Sequence, residues 1–253
     1  MGNLIRTRLR QGKRTLAFPA GAAELPERFR GRPVLDEARC VEGCRSCVDA
    51  CPTGAIAVEP LRLDLGRCVF CPACVEACPT GAIAYTTEHR LAATDRGSLV
   101  ITGSQAPRVA ALDRRMRRIF GRSLRLRQVS AGGANASEAE LSALGNVVFD
   151  LSRFGVQFVA SPRHADGMVV TGPVTRNMAT ALRKTWEAIP EPKIVIAVGT
   201  EAISGGLFRE SPEVLGGIPE DIPVDLYIPG HPPHPLTLLD GLLRLLGRIG
   251  DRP

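Results

Sequence analysis

The chain has 253 residues, of which 44% are hydrophobic and 4% aromatic, and its 32 lysines and arginines exceed 26 acidic residues to give a net charge of +6. That length suits one large or two modest domains with buried cores, and the basic balance implies an anionic partner without choosing among nucleic acid, lipid headgroups and an acidic protein face. No apolar run approaches the ~20 residues of a membrane-spanning helix, and the basic start "MGNLIRTRLRQGKRTLAF" is followed by no apolar region, so neither a membrane span nor a secretory signal is expected and the chain reads as cytoplasmic.

Residues 1–35 read as an N-terminal arm. Leu4, Ile5 and Leu9 alternate with Arg6, Arg8 and Arg10, a pattern that suits either an interfacial helix or a loose basic tail. Residues 36–86 hold every cysteine. All eight lie between Cys40 and Cys78, a crowding that favours metal ligation over scattered disulfides. The first group, "CVEGCRSCVDACPTGAIAV", starts at Cys40, and the second, "CVFCPACVEACPTGAIAY", starts at Cys68. From Cys44 onward the second copies the first: Cys44 matches Cys71, Cys47 matches Cys74, Cys51 matches Cys78, and Pro-Thr-Gly-Ala-Ile-Ala follows in both.

Each group is three closely spaced cysteines and a fourth followed by proline, the bacterial iron–sulfur run. Three thiolates in one loop wrap one corner of a cube, while the fourth is carried toward the other cube. The expected ligand sets are therefore crossed. Cys40, Cys44, Cys47 and Cys78 would hold one [4Fe–4S] cluster, and Cys68, Cys71, Cys74 and Cys51 the other. Cys40 and Cys44 have one residue more between them than Cys68 and Cys71, and Gly43 can absorb it. A pair of zinc sites is the alternative; two complete copies of the run, each with its Cys-Pro, favour iron–sulfur. This segment resembles the two-cluster ferredoxins and implies an α+β ferredoxin-like domain.

Residues 87–123 read as a basic linker. "RRMRRIFGRSLRLR" carries seven arginines between Arg114 and Arg127, and Met116, Ile119 and Phe120 suggest one apolar helical edge. A solvated helix and a contact with acidic lipid or protein both fit. No aromatic residues interleave to stack on bases, so nucleic acid is not expected.

From Leu124 to Pro253 strands and helices alternate. "LRLRQVS", "VQFVAS", "GMVVTG", "KIVIAVG" and "VDLYIPG" read as five strands. "SEAELSALGNVVFDLSRFG", "VTRNMATALRKTWEAI" and "PLTLLDGLLRLLGRI" read as helices, with Val174, Met178, Leu182, Trp186 and Ile189 along one face of the second. The pattern predicts an α/β, flavodoxin-like, doubly wound parallel sheet whose function collects in the loops after the strands' carboxyl ends.

These loops carry a second resemblance. "SPRHADGMVVTGPVTRNMATALRKTWEAIPEPKIVIAVG" and "PVDLYIPGHPP" are similar to the 20-kDa subunit of complex I and to the small subunits of membrane-bound [NiFe] hydrogenases such as formate hydrogenlyase. "FRGRPVLDEARC", before the first cysteine run, resembles the entry to the ferredoxin-type subunits of formate hydrogenlyase and to the 23-kDa-like subunit of complex I, in which the N-terminal arm lies against the membrane arm. The resemblance implies a cluster held by four loop cysteines, but Ala134, Ser137, Glu201 and His231 stand at those four positions, while Asn135, Glu138 and Glu140 around them persist. The four substitutions therefore read as degenerate cluster positions and not as ligands, with a non-cysteine metal site or proton relay at Glu201 and His231 as the alternative. His164 and His234 read as surface or hydrogen-bonded histidines.

The resemblance implies an electron-transfer subunit of a complex I-like or group 4 hydrogenase-like oxidoreductase. It would carry two [4Fe–4S] clusters, with no catalytic residue of its own. Its implied partners are a hydrogenase-like or complex I 49-kDa-like large subunit, membrane-arm subunits and a redox donor or acceptor. Its implied place is the cytoplasmic face of the inner membrane, peripherally. A subunit that only docks the large subunit is the second possibility.

Overall fold

The computed structural model describes residues 2–21 and 25–250. Helix α1 (Gly2–Gln11) stands away from the cores, and its Leu4, Ile5 and Leu9 are 78%, 67% and 77% exposed. The first folded unit runs through β1 (Pro33–Leu35), α2 (Ser46–Asp49), β2 (Ile56–Val58), β3 (Leu61–Asp64), α3 (Ala73–Ala77), β4 (Ile83–Tyr85) and β5 (Val100–Ile101). β1 pairs antiparallel with β4, and β3 lies between β2 and β5, antiparallel to both. The sequence repeat is also a repeat in space. α2 and α3 lie within the two cysteine runs and pack on each other. Each leads into a Cys-Pro-Thr-Gly turn whose glycine has positive φ, +59° at Gly54 and +65° at Gly81, a region open to glycine at no steric cost. Leu35, Leu63, Leu65, Ile83, Leu99 and Ile101 form the core beneath the cysteines.

Residues 87–123, expected as a basic linker, are largely built into the fold. Ala93 exchanges backbone hydrogen bonds with Tyr227 at 3.0 and 2.8 Å, and the Arg96 guanidinium forks onto Asp64 at 2.8 and 2.7 Å. β5 closes the three-stranded sheet. Helix α4 (Arg114–Phe120) begins at Asp113, whose carboxylate accepts the Met116 N–H. Met116 and Phe120, one turn apart, face the core. Ile119 does not join them: it is turned outward and 46% exposed.

The second unit follows as β6 (Leu124–Ser130), α5 (Ala136–Ala143), β7 (Val156–Phe158), β8 (Gly167–Thr171), α6 (Arg176–Ala188), β9 (Ile194–Val198), α7 (Gly199–Ser204), β10 (Leu226–Ile228) and α8 (Pro235–Leu245). The strands form one five-stranded parallel sheet in the order β10-β9-β8-β6-β7. Numbered along this unit that is 5-4-3-1-2, the flavodoxin-like order read from its other edge. Every residue of β8 and β9 is buried, as apolar runs covered on both faces should be. One core joins the sheet to α5 and α8; the other, on the opposite face, gathers Val174, Leu182 and Ile189 with Met178 and Trp186, the face expected for α6.

The helix expected over 137–155 is cut short. α5 ends at Ala143, and the Asn146 side chain accepts the N–H groups of Val148 and Phe149 at 2.8 and 3.1 Å. A local side-chain acceptor of this kind draws backbone donors out of the helix. The chain re-forms only as a short 3-10 turn at Leu151–Phe154, so Leu141, Leu144 and Leu151 reach the core without sharing one helix.

Candidate functional site

The eight cysteines are free thiols, and the fold gathers them in two groups. Cys40, Cys44, Cys47 and Cys78 line one small cleft together with Val41, Leu61, Pro79 and Ile83. Burial, then the charges of Cys78 and Cys40, push the Cys47 thiol up. In the other group burial pushes Cys68 up to about 12, with Cys74 and Cys51 contributing, and burial followed by Cys71 and Cys51 raises Cys74. Each group therefore unites three cysteines of one run with the last cysteine of the other.

The two Cys-Pro-Thr-Gly-Ala turns serve these sulfurs alike. The Ala55 N–H donates to Cys51 Sγ at 3.3 Å, and the Ala82 N–H to Cys78 Sγ at 3.2 Å. Thr53 and Thr80 hydroxyls stand 3.8 Å from the same two sulfurs. Burial tends to raise Cys78, but the N–H groups of Ala82, Thr80 and Gly81 and the Thr80 hydroxyl outweigh it and leave this thiol below its ordinary value. Donors aimed at sulfur favour the thiolate, the form that binds iron.

At the carboxyl ends of the parallel strands, Ala134, Ser137, Glu201 and His231 converge. Glu201 sits in α7, 7% exposed, and takes a hydrogen bond from the Ala134 N–H. Its Oε1 lies 3.9 Å from His231 Nδ1. A Cβ on Gly133 would come within 2.7 Å of Glu201 Oε2, and one on Gly199 within 2.7 Å of Ser137 Oγ, so the loops close tightly around the spot. Glu138 is buried beside it and accepts the hydroxyls of Ser130 and Thr171 at 2.6 and 2.7 Å. Among the described residues of these strand-end loops no three His, Cys, Asp or Glu side chains are arranged to hold a metal ion. His234 caps α8, accepting the Leu236 N–H at Nδ1, and packs between the rings of Phe29 and Phe149; His164 is exposed.

Burial raises the Glu201 carboxyl, helped by the Glu138 charge and opposed by His231 and the Ala134 N–H. A carboxyl raised in the folded chain contributes a loss of stability that grows as pH climbs from the ordinary glutamate range to the raised folded value, and is complete above it. Glu201→Gln keeps an acceptor for Ala134 and removes the charge. It is expected to melt a few degrees higher than the parent at pH 8.5, at about 2–4 °C per kcal/mol for a chain of this size, with the gain shrinking as pH is lowered toward the glutamate range. Anaerobic thermal melts across pH check this; a gain independent of pH would refute it.

The contacts that join the two units are absent from the sequence expectations. The Thr200 hydroxyl donates to the Cys68 carbonyl, and the Ser204 hydroxyl to the Gly66 carbonyl, each at 2.8 Å. Both side chains are buried, and α7 thus rests on the loop that starts the second cysteine run while also carrying Glu201. Thr200 lies in the strand-end loops and Ser204 at the end of the same helix, but no short-range pattern marks a hydroxyl whose acceptor is more than a hundred residues away.

A duplicated cysteine run joined to a five-stranded parallel sheet defines an iron–sulfur protein with an α/β partner unit. Residues 39–82 match the 4Fe-4S dicluster domain and residues 135–245 the NADH ubiquinone oxidoreductase, 20 Kd subunit. The chain is 42% identical over 124 residues to an uncharacterised protein of Methanocaldococcus jannaschii, covering 49% of this chain and 83% of that one. It is 39% identical over 144 residues to formate hydrogenlyase subunit 7 of Escherichia coli, covering 57% and 56%. It is 49% identical over 106 residues to one of the subunits of the NADH-quinone oxidoreductase of Desulfovibrio desulfuricans, covering 42% and 57%. The chain belongs to the family of the 20-kDa subunit of NADH–ubiquinone oxidoreductase, and it carries a 4Fe-4S dicluster domain ahead of that part. It spans a little over half the length of these last two relatives.

Proposed function

We propose that the chain is an electron-transfer subunit of a membrane-associated oxidoreductase complex of complex I-like or group 4 hydrogenase-like type. The observation that carries this reading is the grouping of Cys40, Cys44 and Cys47 with Cys78, and of Cys68, Cys71 and Cys74 with Cys51, inside a matched dicluster domain. Bound [4Fe–4S] clusters accept and release single electrons. The chain's own residues supply the rest. The thiolates bind, the Ala55 and Ala82 N–H groups orient Cys51 and Cys78, and the apolar core around Cys47, Cys68 and Cys74 keeps water from them. Burial holds Cys68 as a thiol, so loading must expel its proton, and assembly gains from raised pH.

The second unit serves as the surface that meets a 49-kDa-like or hydrogenase-like large subunit, and the parts nearest the arm meet membrane subunits on the cytoplasmic face. Its strand-end loops, with Ala134, Ser137, Glu201 and His231 in them, hold no cluster of their own. No residue acts as a catalytic acid, base or nucleophile; the reaction belongs to the assembled complex. Among the described residues no helix is long and apolar enough to cross a membrane, and Leu4, Ile5 and Leu9 of α1 offer an exposed apolar point of attachment.

The test is metal content and company. Anaerobically reconstituted chain is expected to bind about eight irons, two cubes' worth, and to co-purify at native levels with a large subunit. About twelve irons would show a third cluster in the second unit; a stable partnerless monomer would remove the complex.

A further inference from the structure

The two cysteine groups are near copies, and the places where the copy fails identify a residue that acts on one group alone. Ile56-Ala57-Val58 follows the first run and Ile83-Ala84-Tyr85 the second. The Tyr85 hydroxyl lies 3.6 Å from Cys68 Sγ and 3.1 Å from the Cys71 carbonyl oxygen, to which it donates. Val58, in the corresponding place, has no polar side-chain atom. A second difference falls on the same sulfur. The Phe70 N–H donates to Cys68 Sγ at 3.3 Å, from a backbone at φ +54°. Its counterpart in the first run is Gly43, at φ +73°. Glycine adopts that region freely, whereas a bulky side chain holds it only where the surroundings compel it. They do so here: Phe70 is 8% exposed, its ring lies 6.3 Å from that of Tyr85, and the Arg30 guanidinium donates to its carbonyl at 2.5 Å.

We infer that Tyr85 is a positioning residue for the second cysteine group, whose hydroxyl raises the reduction potential of the cluster held there above the value its burial alone would give. This rests on the two-cluster reading above. Cys68 and Cys74 are 6% and 5% exposed, and burial penalises the more negative, reduced form of a thiolate-held cluster. The hydroxyl opposes that penalty. It has one proton and competing acceptors, the Cys71 carbonyl and the neighbouring sulfur. When an added electron makes the sulfur more negative, the proton is drawn toward it. The hydroxyl therefore stabilises the reduced state more than the oxidised one. Its consequence is placement: the group so tuned is the one whose Cys68 carbonyl is bonded to Thr200 at the second unit.

The experiment is a redox titration of the loaded full-length chain, followed by electron paramagnetic resonance, on the parent, Tyr85→Phe and Val58→Tyr. The parent must first show two reducible centres; fewer would remove the two-cluster reading and leave nothing for Tyr85 to tune. With two present, Tyr85→Phe is expected to lower one midpoint potential and leave the other in place. Unchanged potentials, or an equal shift of both, overturn the inference. Should Tyr85→Phe fail to retain its iron, Val58→Tyr decides: a hydroxyl added at the first group is expected to raise that group's potential, and no rise there overturns the inference.

Discussion

Cys78→Ser is expected to strip the cluster of the first cysteine run and to spare that of its own. Cys78 lines the cleft with Cys40, Cys44 and Cys47, whereas the run in which it stands faces Cys51. Serine keeps the shape of the side chain but not the chemistry, because its hydroxyl does not deprotonate near neutral pH as a thiol does. Iron should fall from about eight to about four per chain. The surviving centre should keep the spectrum and potential of the Cys68 group, and Cys51→Ser should show the reverse pattern. If each variant instead lost the cluster of its own run, the ligand sets would not be crossed, and the pairing of thiols across the two turns would have no role in binding.

The second large effect is expected at Gly230, in the turn "IPGHPPHP". Its φ is +146°, and a Cβ there would lie 2.4 Å from Pro233 Cα and 2.6 Å from Pro233 N. Both obstacles are backbone atoms of a proline-braced turn and cannot swing aside. Gly230→Ala should cost about 2–5 kcal/mol, a fall in Tm on the order of 10 °C. The damage should also travel. The Gly230 carbonyl accepts the Thr200 N–H at 2.9 Å, and Thr200 is the residue bonded to the Cys68 carbonyl. Iron–sulfur absorbance should therefore be lost at a lower temperature in this variant, together with the far-ultraviolet signal. An unchanged melt by both probes would mean that the turn can open without disturbing the sheet.

Much of this architecture was legible in the sequence because it is written in short-range patterns. A cysteine run states its spacing outright, and apolar stretches such as "KIVIAVG" and "GMVVTG" state burial on both faces. The five strands and α6 and α8 fall where those patterns put them. What the patterns missed depends on contacts distant in sequence or on one competing side chain. The helix after Ala136 stops because Asn146 offers its own acceptor, while the apolar spacing through Leu141, Leu144 and Leu151 runs on as if nothing intervened. The stretch before α4 looked like a linker because its strand is two residues long and is paired only through Leu63 and Asp64.

The candidate site divides in the same way. The eight cysteines announce themselves by residue type. Ala134, Ser137, Glu201 and His231 do not, and it took the loop resemblance to place them; their convergence then follows from parallel strands that all deliver their ends to one edge. Tyr85 was visible as one of the places where the repeat fails, opposite Val58, but only its distance to Cys68 gives that difference a meaning.

The bonds by which α7 rests on the first unit join neutral hydroxyls to neutral carbonyls, out of contact with water. Contacts made by the arginines of α1 and α4 are of the other kind: exposed charges whose attraction fades beyond about 8 Å at physiological ionic strength and sooner in more salt. Raising ionic strength therefore acts on whatever those helices hold and leaves the internal junction as it was. The hydroxyl junction beside the Cys68 group is therefore one that salt leaves closed.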